Sequence, residues 1–76
     1  MNRIRRKALS DLMVKIDEIR SRLEELSEEE EEYRDNIPEN LQGSERYEKA
    51  DEACDNLSGA LDSLEEAINY IEEAVA

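Results

Sequence analysis

The sequence predicts an all-α protein, an antiparallel two-helix coiled-coil hairpin that pairs with a second copy of itself into a four-helix bundle. Three observations carry this. Apolar residues recur at alternating intervals of three and four in both halves of the chain, one proline stands between the halves, and 76 residues leave room for a single core. Charged residues make up 42% of the chain and the net charge is −12, which in an aperiodic sequence of this length predicts disorder. The periodicity decides for a folded chain.

The first helix is expected over residues 3–35. Its seam runs through Leu9, Leu12, Ile16, Ile19, Leu23 and Leu26 and continues through Glu30 to Tyr33 and Ile37. The connection, residues 36–44, reads Asn36-Ile37-Pro38-Glu39-Asn40-Leu41-Gln42-Gly43-Ser44. Pro38 pushes Ile37 out of the helical region, and Ser44 supplies a cap for the second helix. That helix, 45–74, repeats the spacing at Tyr47, Ala50, Cys54, Leu57, Leu61, Leu64, Ile68, Ile71 and Val75. The whole chain, residues 1–76, is thus one helical-hairpin domain.

Two near-equal helices across a short loop fold back antiparallel. A fold-back centred near Asn40 sets Leu26 by Cys54, Leu23 by Leu57, Ile19 by Leu61, Ile16 by Leu64, Leu12 by Ile68, Leu9 by Ile71 and Tyr33 by Tyr47. Glu30 then faces Ala50, where splayed helices let water reach the carboxylate, so the loop end is expected to be the less stable end. Charge agrees with the fold-back. Residues 1–22 carry seven basic and three acidic side chains, a net of +4, and come to lie on the acidic second helix. Basic residues at the start of the first helix and Glu72 and Glu73 at the end of the second each oppose their own helix dipole, and side by side they compensate.

Beside the second seam lies a further repeat, Ala53, Ala60, Ala67 and Ala74, which widens the apolar face. On the first helix, Met13 and Val14 also stand off the seam. These six residues are the expected dimer-packing surface; alanine's helix propensity alone is the competing account of the repeat. Gly59 falls mid-helix on the outer face at a cost of about 1 kcal/mol, for which a close contact is the available reason.

Catalysis finds no foothold. The chain has no histidine, no glycine-rich phosphate loop and no nucleophile elbow, and its one cysteine, Cys54, sits on the seam in a slot for a small apolar residue. One thiol without histidine makes neither a disulfide nor a zinc site, and the acidic residues show no calcium-loop spacing. The expectation is therefore a non-enzymatic protein with no cofactor and no metal site. No apolar run approaches the length of a membrane span, and the basic N-terminus lacks the apolar core of a signal peptide, so a cytoplasmic setting without membrane contact is expected.

Acidity is the unusual feature. Residues 24–55 hold fourteen carboxylates against Arg34, Arg46 and Lys49, a net of −11 at one end of the rod. That field repels nucleic acid and attracts basic protein surfaces, including phosphate-binding grooves. Glu28, Glu29, Glu31, Glu32, Asp51, Glu52 and Asp55 are the candidate partner-binding residues, standing where the phosphates of a nucleic acid would stand. A solvated face that keeps a small bundle in solution is the plainer account of the Glu28 to Glu32 run. The basic first turn, with Arg5 and Arg6, admits an RNA-binding hairpin, which the overall charge opposes.

From Ile37-Pro38-Glu39-Asn40-Leu41-Gln42-Gly43-Ser44-Glu45-Arg46-Tyr47 through the Glu, Ala and Leu repeats to Ala76, the chain resembles small acidic helical proteins encoded by prophages and mobile elements of Gram-positive bacteria. The likeness covers roughly residues 20–76 and brings no active-site residues with it. It implies a bacterial cytoplasm and a phage context, in which small acidic proteins act as inhibitors of host nucleases or as regulators. Lack of tryptophan and a different loop separate the chain from the secreted Trp-x-Gly hairpins. The expected function is an acidic interaction module that docks a basic, nucleic-acid-binding host protein and does not itself bind nucleic acid. A scaffolding bundle with no electrostatic target is the alternative.

Overall fold

A computed structural model describes all of residues 1–76. Helix α1 spans Arg3–Asp35 and helix α2 spans Glu45–Val75, with one 3-10 turn, Glu39–Leu41, between them. There is no strand. A helix of 33 residues is about 50 Å long. The molecule measures 59 × 15 × 13 Å, so α1 and α2 lie alongside one another as a hairpin, packed along their length.

Local chemistry sets the boundaries. The Asn2 side chain caps α1 by accepting the Arg5 N–H at 2.7 Å, and Ser44 caps α2 by accepting the Tyr47 N–H at 3.3 Å. Pro38 is extended, at φ −54° and ψ 142°, and its carbonyl accepts the Leu41 N–H that closes the 3-10 turn. Ser44 ties the connection back by donating its hydroxyl to the Leu41 carbonyl. The nine connecting residues are thus hydrogen-bonded turn, more ordered than the plain loop expected from their composition.

The face α1 turns toward α2 differs from the expected seam. Leu9, Ile16, Leu23, Glu30 and Ile37 are buried or half-buried, as expected, but their covered neighbours are Met13, Arg20, Ser27 and Arg34. Leu12, Ile19, Leu26 and Tyr33 tilt out and are exposed. Both choices share one column of residues and differ by a small rotation of the helix. Contacts on the observed side explain the rotation. Arg34 reaches across to Asp51, Arg20 lies within the field of Glu65, and Ser27 is small enough to admit close approach. Arginine stems cover apolar surface while their heads stay at carboxylates. Met13, assigned above to dimer packing, stands half-buried in this inward column.

On α2 the expected seam holds. Tyr47, Leu57, Leu61, Leu64, Ile68, Ile71 and Val75 are half-buried, and Ala50 and Cys54 are fully buried.

Burial is concentrated at the loop end, contrary to the expectation that this end is the weaker. The chain's four buried residues are Ser27, Ile37, Ala50 and Cys54. Three have small side chains that let the helices close up, and Ile37, 3% exposed, plugs the end. At the terminal end Ile4 is 83% exposed. Nor do ion pairs bind the basic N-terminal segment to α2: Arg34–Asp51 is the one salt bridge that crosses between the helices.

Gly59 has no neighbour within 4 Å of where a Cβ would stand, so the close contact invoked for it is absent. Gly59→Ala is accordingly expected to stabilise the protein by about 1 kcal/mol. A urea titration followed by circular dichroism reads this directly. A lower midpoint in the variant would show that the outer face of α2 is occupied.

Candidate acidic interaction surface

Helix periodicity disperses the candidate residues around the loop end. Successive residues turn by about 100°, so Glu28 and Glu32 share the outer flank of α1 while Glu31 turns toward the side where Asp51 meets Arg34. Glu29 lies on the other flank, and Glu52 points away from α1. Glu28, Glu29, Glu31, Glu32, Glu52 and Asp55 are exposed; Asp51 is half-buried. The carboxylates therefore ring the rod and do not converge on one pocket. No group of three or more His, Cys, Asp or Glu side chains is arranged to hold a metal ion.

Sequence spacing did not reveal what the cations of this end do. Arg34 donates to Asp35 at 3.1 Å and to Asp51 at 3.0 Å, and its side chain is 23% exposed. The hydrogen bond to Asp35 raises its pKa further above the ordinary guanidinium range, with Asp51 adding to the effect. Lys49 pairs with Glu45 at 3.1 Å. Arg46 donates to the Tyr33 hydroxyl at 2.8 Å and stands 5.3 Å from the ring centroid, a cation–π distance. The positive charges of this end are thus held by local partners, and the remaining carboxylates face water without competition. A fold-back rule that pairs seam with seam does not find Arg34–Asp51, because both residues flank the seam. The cue is positional: each stands four residues beyond a residue of its own inward column, Glu30 and Tyr47.

Glu30, Tyr33, Arg46, Lys49 and Ala50 line an open cleft of about 260 Å³. Glu30 and Ala50 do come together at this edge, as the fold-back rule expects. The cleft mixes one acid, two bases and a phenol ring and has no enclosed apolar floor, so it lacks the form of a small-molecule pocket.

Cys54 is buried and free. Burial pushes its thiol pKa up; Glu30, Glu31 and Asp51 push the same way, and Arg34 pulls it down. A raised pKa means less thiolate at neutral pH, hence slow reaction with electrophiles. Alkylation of the native protein at pH 7–8 is expected to proceed at the rate of transient unfolding and to reach the free-thiol rate only in denaturant. Fast alkylation of native protein would contradict a sealed Cys54.

The expected dimer-packing residues divide. Met13 is half-buried in the hairpin, Val14 and Ala74 are exposed, and Ala53, Ala60 and Ala67 are half-buried along one edge of α2. No helix is long and apolar enough to cross a membrane. No protein-family model matches the chain, and it finds no significant match among curated proteins or solved structures.

Proposed function

We propose that the chain is a non-enzymatic acidic interaction module, a pair of hairpins forming a four-helix bundle, which docks a basic surface on a nucleic-acid-binding protein of a bacterial host. The observation that carries this is electrostatic. A net of −11 is gathered over residues 24–55, and the three cations among them are each held by a partner of their own. An exposed field of one sign speeds encounter with an oppositely charged surface and depends on salt. Because the carboxylates encircle the rod, they imitate a polyanion from several directions, in the manner of phosphates around a duplex. A phage-encoded inhibitor or regulator working in the cytoplasm fits this chemistry.

The same encirclement favours a second reading, a scaffolding bundle whose acids only keep it dissolved. Reversal of Glu28, Glu31 and Glu32 to lysine separates the two. A basic host protein retained by the immobilised chain at low salt and released at high salt is first identified, then titrated with each form. An interaction module loses at least about tenfold in affinity on reversal, and DNA competes for the same partner. Unchanged affinity refutes the docking reading, and simultaneous binding of DNA and this chain refutes the imitation of nucleic acid.

A further inference from the structure

The hairpin leaves one face unpartnered, and its composition and charge identify the occupant. Tyr33 and Arg46 are bonded to each other, which places their columns on the same side of the hairpin. Stepping by sevens from Tyr33 along α1 gives Leu26, Ile19 and Leu12, which are 41%, 59% and 48% exposed, while Tyr33 is 44% exposed. Stepping by sevens from Arg46 along α2 gives Ala53, Ala60 and Ala67, each half-buried. Arg34–Asp51 and the Arg20–Glu65 proximity lie on the opposite side. One face of the rod thus carries a column of large apolar side chains beside a column of alanines. Isolated exposed leucines are ordinary, but four large residues aligned over about 32 Å of helix are not.

Exposed area points the same way. A folded monomer of 8.8 kDa is expected to expose about 4,800 Å². This chain exposes 5812 Å². Covering about 800 Å² per copy, the standard interface size, removes most of the excess.

We infer that Leu12, Ile19, Leu26 and Tyr33 of α1, with Ala53, Ala60 and Ala67 of α2, form the face on which a second copy of the chain packs, and that the two hairpins run in opposite directions. This rests on the self-association in the function proposed above and moves the α1 side of the packing surface from Met13 and Val14 to the column of Leu12, Ile19, Leu26 and Tyr33. A face that meets its own copy is related by a two-fold axis. An axis along the rod would bring two acidic ends of −11 together. An axis across the rod instead lays each acidic end on the partner's terminal end, where residues 1–22 carry +4 and residues 58–76 carry five acids. With the apolar columns matched end to end, Lys15 of one copy approaches Glu29 of the other. The product is a rod with one acidic tip at each end, able to engage two basic surfaces at once.

Three measurements test this on the full chain. Light scattering is expected to give twice the monomer mass at micromolar concentration; a mass of 8.8 kDa up to millimolar concentration overturns the self-association and this face together. Ile19→Glu, whose side chain is already largely in water in the single hairpin, is expected to raise the dimer dissociation constant at least about 100-fold while leaving helical content unchanged. A dimer insensitive to it overturns the face alone. Spin labels placed through Gln42→Cys in a Cys54→Ala background leave the apolar face intact and report the order. Tips at opposite ends lie on the order of 50 Å apart. A separation below about 25 Å overturns the reversed order. None of these outcomes bears on charge-dependent docking, which the glutamate reversal decides separately.

Discussion

Ile37→Ala is expected to lower stability by about 2–4 kcal/mol, a large share of the roughly 4–11 kcal/mol that a domain of this size commands. The side chain is 3% exposed, the lowest value in the chain, and sits where α1 ends and the backbone turns into Pro38. Removing three carbons there opens a cavity beside Pro38 and the hydrogen-bonded turn, which cannot collapse freely to fill it. Ile4→Ala is the matched control, since the Ile4 side chain is 83% exposed and its loss should cost less than about 0.5 kcal/mol. Thermal melts of both variants measure the contrast, and hydrogen exchange should show the lost protection concentrated in residues flanking the turn. Equal small losses for the two would mean that the loop end is not the packed end.

Cys54→Asp is the second large effect. Cys54 is 5% exposed, and Glu30, Glu31 and Asp51 already bear on it electrostatically. A carboxylate in that slot loses its hydration and meets three like charges, with Arg34 already engaged by Asp35 and Asp51. The expected cost is at least about 3 kcal/mol at neutral pH, most of the stability at the lower end of the range for a domain of this size. The direction with pH follows from linkage. Burial raises the pKa of the introduced acid above its value in the unfolded chain, so its penalty is absent below about pH 4 and grows as pH rises through the interval between the two values. Melts at pH 4 and pH 7, set against wild type and Cys54→Ala, isolate that term. A Cys54→Asp protein as stable as Cys54→Ala at neutral pH would show that the slot is open to water.

The two large effects fall at the same end of the rod, and that end also carries the acidic field. Small side chains at Ser27, Ala50 and Cys54 bring the helices together there, so exposed carboxylates are displayed on the most closely packed part of the molecule. A charged surface held on a packed support loses less freedom on docking than one on a frayed end.

Much of the architecture was legible in the residues. Both helices, the turn at Pro38, the cap at Ser44 and the inward face of α2 follow from local rules of periodicity, ring geometry and side-chain hydrogen bonding, which act over a few residues. The acidic end is likewise a fact of sequence, because net charge needs no tertiary contact to exist. Periodicity on α1 was ambiguous by one column, since Leu9, Ile16 and Leu23 are common to two possible stripes and only the neighbours differ. Apolarity alone selects Leu12, Ile19 and Leu26 for the interior. Tertiary structure instead turned Arg20, Ser27 and Arg34 inward, because a partner helix offers carboxylates to arginine heads and space against a serine, and neither is a property of α1 by itself. The same rotation decided which end packs best and which apolar column remains open to another molecule.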